Sequence, residues 1–516
     1  MQTSSTAPTP ATDAGRRRLA YAPLVFIVLA AVALRAWLLF RTEYLPGING
    51  AYYLVQARAL LERGALAMPD LPLTFHLHAA LAWTLARLTP LAQADAVVWA
   101  VKLCDALLPP LVAWPVFVLV RRWARPLGRG DLVPLAAAAL ACVPATMFRT
   151  VGDVQKNSLA LVWLALLALT LHDWLDSPTP RRGLALLGVL LLLATTHVGV
   201  LGAALVLLTA VLLAFAARVR GSAPWRQMLP WLGAAAALLA LAASLVAWRF
   251  DPERVRRLAV AFTDPARFAF DGGQSPIRPG SARYVARWGA YLMFATAIAP
   301  AVSIAWRRRR ELSAPDLAIV AGAAFTVVAL TIPCFSMDKS IRFWAIALLP
   351  MNLVVAFSVL RVTTRWRRGL LVGLALLASV GGTAASLPRG GADSLSGPAL
   401  RELAGLARFV TAPDRTLLAA AHGAEWWSAW LLRTRVAQPD ALRPDDWRRY
   451  DTVLFLEVRT GLQVNPFAGG SPPPAQPGRG AEPALSPPIP ADAEILHDGA
   501  TLRLARVAAP PAHSAH

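Results

Sequence analysis

Apolar runs rich in leucine and alanine recur from Leu24 onward, separated by short arginine-bearing loops. A helix of about 20 apolar residues crosses the roughly 30 Å hydrocarbon core of a bilayer. In that core every backbone amide must find its partner inside the protein, and a run of this length does so as a helix. The chain is therefore an all-α polytopic membrane bundle over most of its length.

The arginines set the number of crossings, because cytoplasmic loops carry the excess of basic residues. Arg16, Arg17 and Arg18 precede the first run, so the N-terminus is expected inside. RRWARPLGRG (121–130), DSPTPRR (176–182), ARVRGSAPWRQ (217–227), RRRR (307–310) and RVTTRWRR (361–368) are the other basic loops. All fall on the same side if about eleven helices cross, at 20–40, 96–120, 132–148, 158–175, 184–196, 199–217, 229–248, 286–306, 315–333, 343–360 and 368–387. The apolar stretch Leu73–Leu88 is then a helix on the outer surface. Counting it as a twelfth crossing would put every later basic loop on the wrong side. The resulting domains are a disordered cytoplasmic segment (1–19), a transmembrane domain (20–388) and an extracytoplasmic C-terminal domain (389–516). The multi-pass chain is expected in a bacterial-type cytoplasmic membrane, with its first apolar run retained as an anchor.

The net charge of +21 fits this orientation and anionic headgroups, and no nucleic-acid partner is implied. The three cysteines, Cys104, Cys142 and Cys334, have no metal-binding spacing and read as core or interfacial thiols.

The first outer loop, 41–95, is unusually long, and long loops in compact proteins are usually functional. Tyr52, Val55, Ala59 and Leu60 recur at helical spacing, Gly64 supplies a stop, and Pro72 opens a second helix. Glu43, Asn49, Tyr53, Asp70, His76 and His78 lie along it. Beyond residue 389 the pattern changes to helix 398–410, strand 415–421, helix 425–432, a short strand near Val436, strand 452–458 and strands 494–497 and 501–507. This is a small α/β domain interrupted by a Pro/Gly-rich insertion, 464–492.

Ionisable residues near membrane depth are expensive and mark function or pairing. They gather here at the outer ends of the crossings. GDVQKN (152–157) supplies Asp153 and Lys156, a hairpin tip supplies His197, and SMDKSIRF (336–343) supplies Asp338, Lys339 and Arg342. With Glu43, Asn49 and Asp70 they converge on one outer cavity. A carboxylate there can act as general base or hold a divalent ion, and Arg or Lys can clamp a phosphate. Each also has a plainer role. Asp153 can cap the next helix, Arg342 can anchor at the interface, His197 can bond backbone, and Lys102 and Asp105 can pair with each other.

NGAYYLVQARALLERG, DLPLTFHLHAAL, GDVQKN and SIRFW, in this order, resemble the GT-C superfamily of membrane glycosyltransferases, and most of all the oligosaccharyltransferase catalytic subunit and its uncharacterised relatives. GAEWWSAWLLRTRV resembles the Trp-Trp-Asp-Tyr-Gly acceptor-binding motif. The resemblance implies a GT-C-like fold and a polyprenyl-phosphate-linked sugar donor. It assigns catalysis to Asp153, Asp70, Glu43 and Asn49, and the donor phosphate to Arg342, Lys339, Lys156 and His197. It puts Glu425, Trp426, Trp427 and Tyr52 near an acceptor that the sequence does not identify. It leaves the metal open: a divalent cation, Mg or Mn, is held at Asp153 and Asn49 or is dispensed with. Two positions depart from the pattern: Asn49 replaces an acid, and Ser428 follows the tryptophan pair in place of Asp. The alternatives are a catalytically inactive GT-C-like protein that binds lipid or protein, and a transporter. The absence of an obvious internal repeat, the large outer loop and the C-terminal domain weigh against the transporter.

Overall fold

The computed structural model describes residues 10–144, 147–148, 151–220, 223–264, 282–333, 335, 337–387, 394–459, 489–490 and 492–507. Among the described residues, fifteen α-helices of eleven residues or more precede the C-terminal domain. They are α1 (Pro10–Phe40), α2 (Gly50–Arg63), α3 (Leu73–Leu88), α4 (Gln93–Leu107), α5 (Ala113–Ala124), α6 (Leu132–Cys142), α7 (Gln155–Asp176), α8 (Pro180–Thr196), α9 (Val198–Val219), α10 (Ala223–Phe250), α11 (Pro252–Thr263), α12 (Ala282–Arg307), α13 (Ala314–Thr331), α14 (Met337–Leu360) and α15 (Arg365–Ser386). The first helix starts at Pro10, inside the stretch expected to be disordered.

Among the described residues, eight segments are long and apolar enough to cross a membrane. They lie in α1, the α4–α5 unit, α7, α9, α12, α13, α14 and α15. The other three predicted crossings fall on α6, with 11 residues, on α8, with 17, and on α10, whose apolar part is Ala236–Phe250. A short 3-10 turn, Pro109–Val112, joins α4 to α5. Pro109 and Pro110 remove two backbone donors there, which breaks the helix.

Among the described residues two large cores, and a small one around Ala419, Val453 and Phe455 on the sheet, hold the molecule. The larger joins α5, α6, α7, α9, α13 and α14 through residues such as Phe117, Leu167, Leu207, Val327 and Phe357. On α15, Leu370, Leu374, Leu377 and Val380 remain exposed, as lipid-facing side chains do. The second core is continuous from the outer loop into the C-terminal domain. Leu45, Tyr53, Leu54, Phe75 and Val101 share it with Leu400, Leu403, Leu418, Trp427 and Leu454. Within it α3 packs against α2 and α4, burying Phe75, His78 and Ala82. The first outer loop is thus an integral layer between bundle and C-terminal domain.

That domain contains α16 (Gly397–Gly405), β1 (Thr416–Ala420), α17 (Ala424–Leu431), β2 (Arg435–Ala437), α18 (Asp446–Arg449), β3 (Thr452–Val458), β4 (Glu494–Asp498) and β5 (Leu502–Val507). The sheet order is β2-β1-β3-β5-β4. Strand β1 is parallel to both neighbours, with Leu418 opposite Val436 and Leu454. Strand β5 pairs antiparallel with β3 and β4. All five residues of β1 are buried, as expected for a parallel strand covered on both faces. Most of the 464–492 insertion lies outside the described residues.

Candidate functional site

The site forms where the loop after α1 and the loop before α7 are pressed together. Lys102 Nζ donates to the carbonyl oxygens of Thr42 (2.7 Å) and Glu43 (3.0 Å), fixing the chain as it leaves α1. The loop then turns at Gly47, whose φ is +90°. A side chain there would put its Cβ 2.5 Å from Asp153 Cβ. On the facing loop Gly152 has φ +82°. Its own Cβ would fall 2.7 Å from Pro46 Cγ and nearer still to the Pro46 carbonyl oxygen. Glycine is required at both places, by conformation and by space.

This contact brings Asn49 onto Asp153. Oδ1 of Asp153 accepts the Asn49 backbone N–H (2.7 Å) and side-chain Nδ2 (2.9 Å). Oδ2 takes no hydrogen bond among the described residues. The residue is 4% exposed. Burial raises the Asp153 carboxyl above the ordinary aspartate value, against the opposing pull of the two Asn49 bonds and the nearby Arg342 and His422. The plainer role of Asp153 is not adopted: α7 has Val154 at its N-cap and no side-chain cap bond.

Behind the loops lies a buried ion pair. Arg35 of α1 donates to Asp105 of α4 at 2.5 Å, and both side chains are fully buried. The other oxygen of Asp105 accepts the Gly152 N–H at 2.8 Å, tying the second outer loop to the bundle. Lys102 and Asp105 therefore do not pair with each other as their spacing allowed. Each reaches a partner far along the chain.

Asp70 occupies a neighbouring network. It accepts from Lys156 Nζ, from the Tyr52 hydroxyl and from the Leu71 N–H at 2.7 Å. Gln56 Nε2 donates to Tyr52 Oη at 3.0 Å. The Lys156 charge is thus paired with Asp70. His78 is fully buried beside Tyr53 and Phe75, and burial pushes it down to about 3, so it is a neutral core residue.

Other expected participants stand apart. Glu43 is exposed and interacts with Tyr44. His76 is exposed. His197 Nδ1 accepts the Val200 N–H at 3.1 Å, capping α9. Arg342 is exposed in the first turns of α14, and its charge acts on both Asp153 and His422. Lys339 precedes it by three residues on the same helix, and its side chain lies outside the described residues, as does that of Asp338.

The C-terminal domain closes the site through α17. Trp426 meets Tyr52 edge-on at 4.8 Å, and its indole N–H is buried without a partner among the described residues. Trp427 points into the core and donates to Ser394 Oγ at 2.7 Å. Arg58 of α2 donates to the carbonyls of Ala429 and Trp430, both at 2.8 Å, and covers the Trp430 ring at 4.7 Å. A guanidinium on the last carbonyls of a helix satisfies groups that the helix leaves open. Glu425 is buried and bonded to His422. His422 escaped the sequence reading, although HGAE at a strand-to-helix turn puts a histidine three residues from an acid.

The cation that the resemblance leaves open does not fit this donor set. Asn49 turns N–H groups, which donate and cannot ligate a cation, toward Asp153 Oδ1. Among the described residues, no three His, Cys, Asp or Glu side chains are grouped to hold a metal.

Two bundle loops and a C-terminal domain thus build one site on a polytopic helical membrane protein. No protein-family model matches it, and no curated protein does. Among solved structures, the apo oligosaccharyltransferase of Archaeoglobus fulgidus is similar with a TM-score of 0.56 and 13% identity, over 85% of this chain and 70% of that one. ArnT from Cupriavidus metallidurans, bound there to undecaprenyl phosphate, aligns at 13% identity and a TM-score of 0.49, over 85% of this chain and 94% of that one. At this identity the first likeness concerns the fold.

Proposed function

We propose that the protein is an integral membrane glycosyltransferase. It takes a sugar from a polyprenyl-phosphate-linked donor at its outer face and passes it to an acceptor held beneath the C-terminal domain. The observation that carries this reading is Asp153: a buried carboxylate with one oxygen held by Asn49, the other without a hydrogen bond among the described residues, and an arginine charge close by.

In the reaction, an acceptor O–H or N–H gives its proton to Asp153 Oδ2 while the acceptor atom bonds to the anomeric carbon. The bond from that carbon to the phosphate oxygen breaks, and the phosphate leaves with the electron pair. Arg342, with Lys339 one turn away on the same helix, stabilises the leaving charge. The Asp70–Lys156–Tyr52 network is structural support. It positions Tyr52 and, through it, Trp426 as a wall for the acceptor. Glu43 and His197 take no chemical step in this scheme. A second reading, a lipid-binding protein without turnover, draws on Asn49 in place of an acid.

Undecaprenyl phosphate titrated into the purified full-length protein tests the phosphate site. A guanidinium grips a phosphate with a planar fork, and an ammonium does not. Arg342→Lys should weaken binding by roughly 1–3 kcal/mol, the scale of a charged hydrogen bond. Overlapping titrations of the two proteins would refute the assignment. Donor turnover separates the transferase from the silent binder.

A further inference from the structure

Strand β1 leaves the sheet between two parallel neighbours, β2 on one side and β3 on the other. Open α/β sheets bind ligands at such a point, beyond the carboxyl ends of the strands. Here that point carries His422. Beneath it Glu425 is 2% exposed and fully engaged. Its carboxylate accepts the Gly423 N–H, His422 Nδ1 at 2.8 Å, and Nε2 of Gln438, from the end of β2, at 3.4 Å. A buried polar group bonded this completely holds one geometry. The imidazole is therefore fixed through Nδ1, with Nε2 on the ring edge away from Glu425, and its side chain is 55% exposed. The charges acting on it are Glu425 from its own turn, Asp153 from the second outer loop and Arg342 from α14. A domain that only stacked on Tyr52 would have no use for a buried glutamate orienting a half-exposed histidine.

We propose that His422 is a second cationic ligand for the phosphate of a lipid-linked donor, supplied by the C-terminal domain to act with Arg342. The inference rests on the phosphate-site reading above and adds a pH dependence to it. The hydrogen bond that the imidazole donates to Glu425 holds it above its ordinary value, against partial burial and the Arg342 charge. His422 is then cationic below that raised value and neutral above it. A phosphate monoester gains charge as pH rises through about 6. Arg342 alone would therefore bind it more tightly at higher pH, and His422 reverses the sign.

The test is undecaprenyl phosphate binding to the full-length protein at pH 6 and pH 8.5. Wild type should bind more tightly at pH 6. His422→Gln should lose roughly five- to tenfold at pH 6, the scale of one partly exposed charged hydrogen bond, and little at pH 8.5. Glu425→Gln should move the loss of binding to lower pH. If that buried variant folds poorly, the half-exposed His422→Gln carries the test alone. Inorganic phosphate is added as competitor. Displacement that depends on His422 puts recognition in the phosphate itself, whereas His422-dependent lipid binding without displacement puts it in the lipid-borne phosphate; both support the proposal. If wild type and His422→Gln coincide at both pH values while Arg342→Lys weakens binding, His422 is no ligand and the phosphate site stands. If wild type binds no undecaprenyl phosphate at either pH, the phosphate-site reading itself falls.

Discussion

Replacing Gly152 by alanine should separate the two outer loops and disable the site without touching a functional side chain. Two costs add. An L-residue at φ +82° enters the left-handed region, at about 1–2 kcal/mol. The new methyl would also sit 2.7 Å from Pro46 Cγ and closer to a backbone oxygen that cannot rotate away. Overpacking of this kind costs about 1–3 kcal/mol. Together these come to roughly 2–5 kcal/mol, relieved only if the second loop backs off Pro46. That retreat stretches the Gly152 bond to Asp105 and both Asn49 bonds to Asp153. Gly64→Ala is the control. Gly64 ends α2 at φ +68° with nothing within 4 Å of its Cβ, so only the conformational cost applies. Both variants are compared by thermal unfolding and by undecaprenyl phosphate titration. Gly152→Ala should unfold earlier and bind at least about tenfold more weakly, while Gly64→Ala binds like wild type. Equal behaviour of the two would mean that the loops are not pressed together at Gly152.

Asp153→Asn keeps the shape of the side chain and removes the base, so turnover should fall at least about a hundredfold while unfolding is unchanged; unchanged turnover would remove Asp153 from the chemistry. Because burial raises Asp153, its carboxylate is lost as pH falls through a value above the ordinary 3.8, and the acid limb of the wild-type rate should lie above that value. A limb at or below it would contradict the assignment. Lys156→Met and Asp70→Leu should each destabilise by roughly 3–5 kcal/mol, because each strands a buried charge, and the double variant should recover most of the loss; additive losses would deny the pair. Cysteines introduced at positions 125, 180, 309 and 450 should label from outside only at 450, and labelling of 309 would overturn the orientation.

Local patterns explain how much of this fold was legible. The α17 and β3 segments declared themselves by apolar spacing within a few residues. The helix expected over Leu73–Leu88 forms over those residues and packs against α2 and α4. What stayed hidden depends on partners distant in sequence. Lys102 and Asp105 look like an i,i+3 pair, yet Asp105 finds Arg35, 70 residues earlier, and Lys102 finds the carbonyls after α1. Nothing in the run around Arg35 identifies its partner. Asp70, read as a candidate base, could not be seen to share its charge with Lys156 until the loops met. His422 was hidden because the tryptophan pair drew the reading to Glu425 as an acceptor ligand, whereas that carboxylate faces its own histidine.

The exchange of an acid for Asn49 makes physical sense once Asp153 is seen beside it. Two carboxylates at this distance would need a cation between them or a shared proton. An amide instead offers N–H, and the Asn49 side chain and backbone together supply two donors to one oxygen of Asp153. The negative charge is thus held by neutral donors, and in the proposed scheme Arg342 and His422 act on the donor phosphate. One of these cations belongs to the bundle and the other to the C-terminal domain. The domain must therefore be held in register with α14. Helix α2 does this: its start lies beside Asn49, Tyr52 in its first turn meets Trp426, and Arg58 nearly two turns further on grips the end of α17. Burial lowers Arg58 to about 10, which still leaves it charged at neutral pH. A single helix thereby ties the loop that holds Asp153 to Trp426 of the C-terminal domain, so loosening Arg58 should impair the proposed site although Arg58 takes no part in the proposed chemistry.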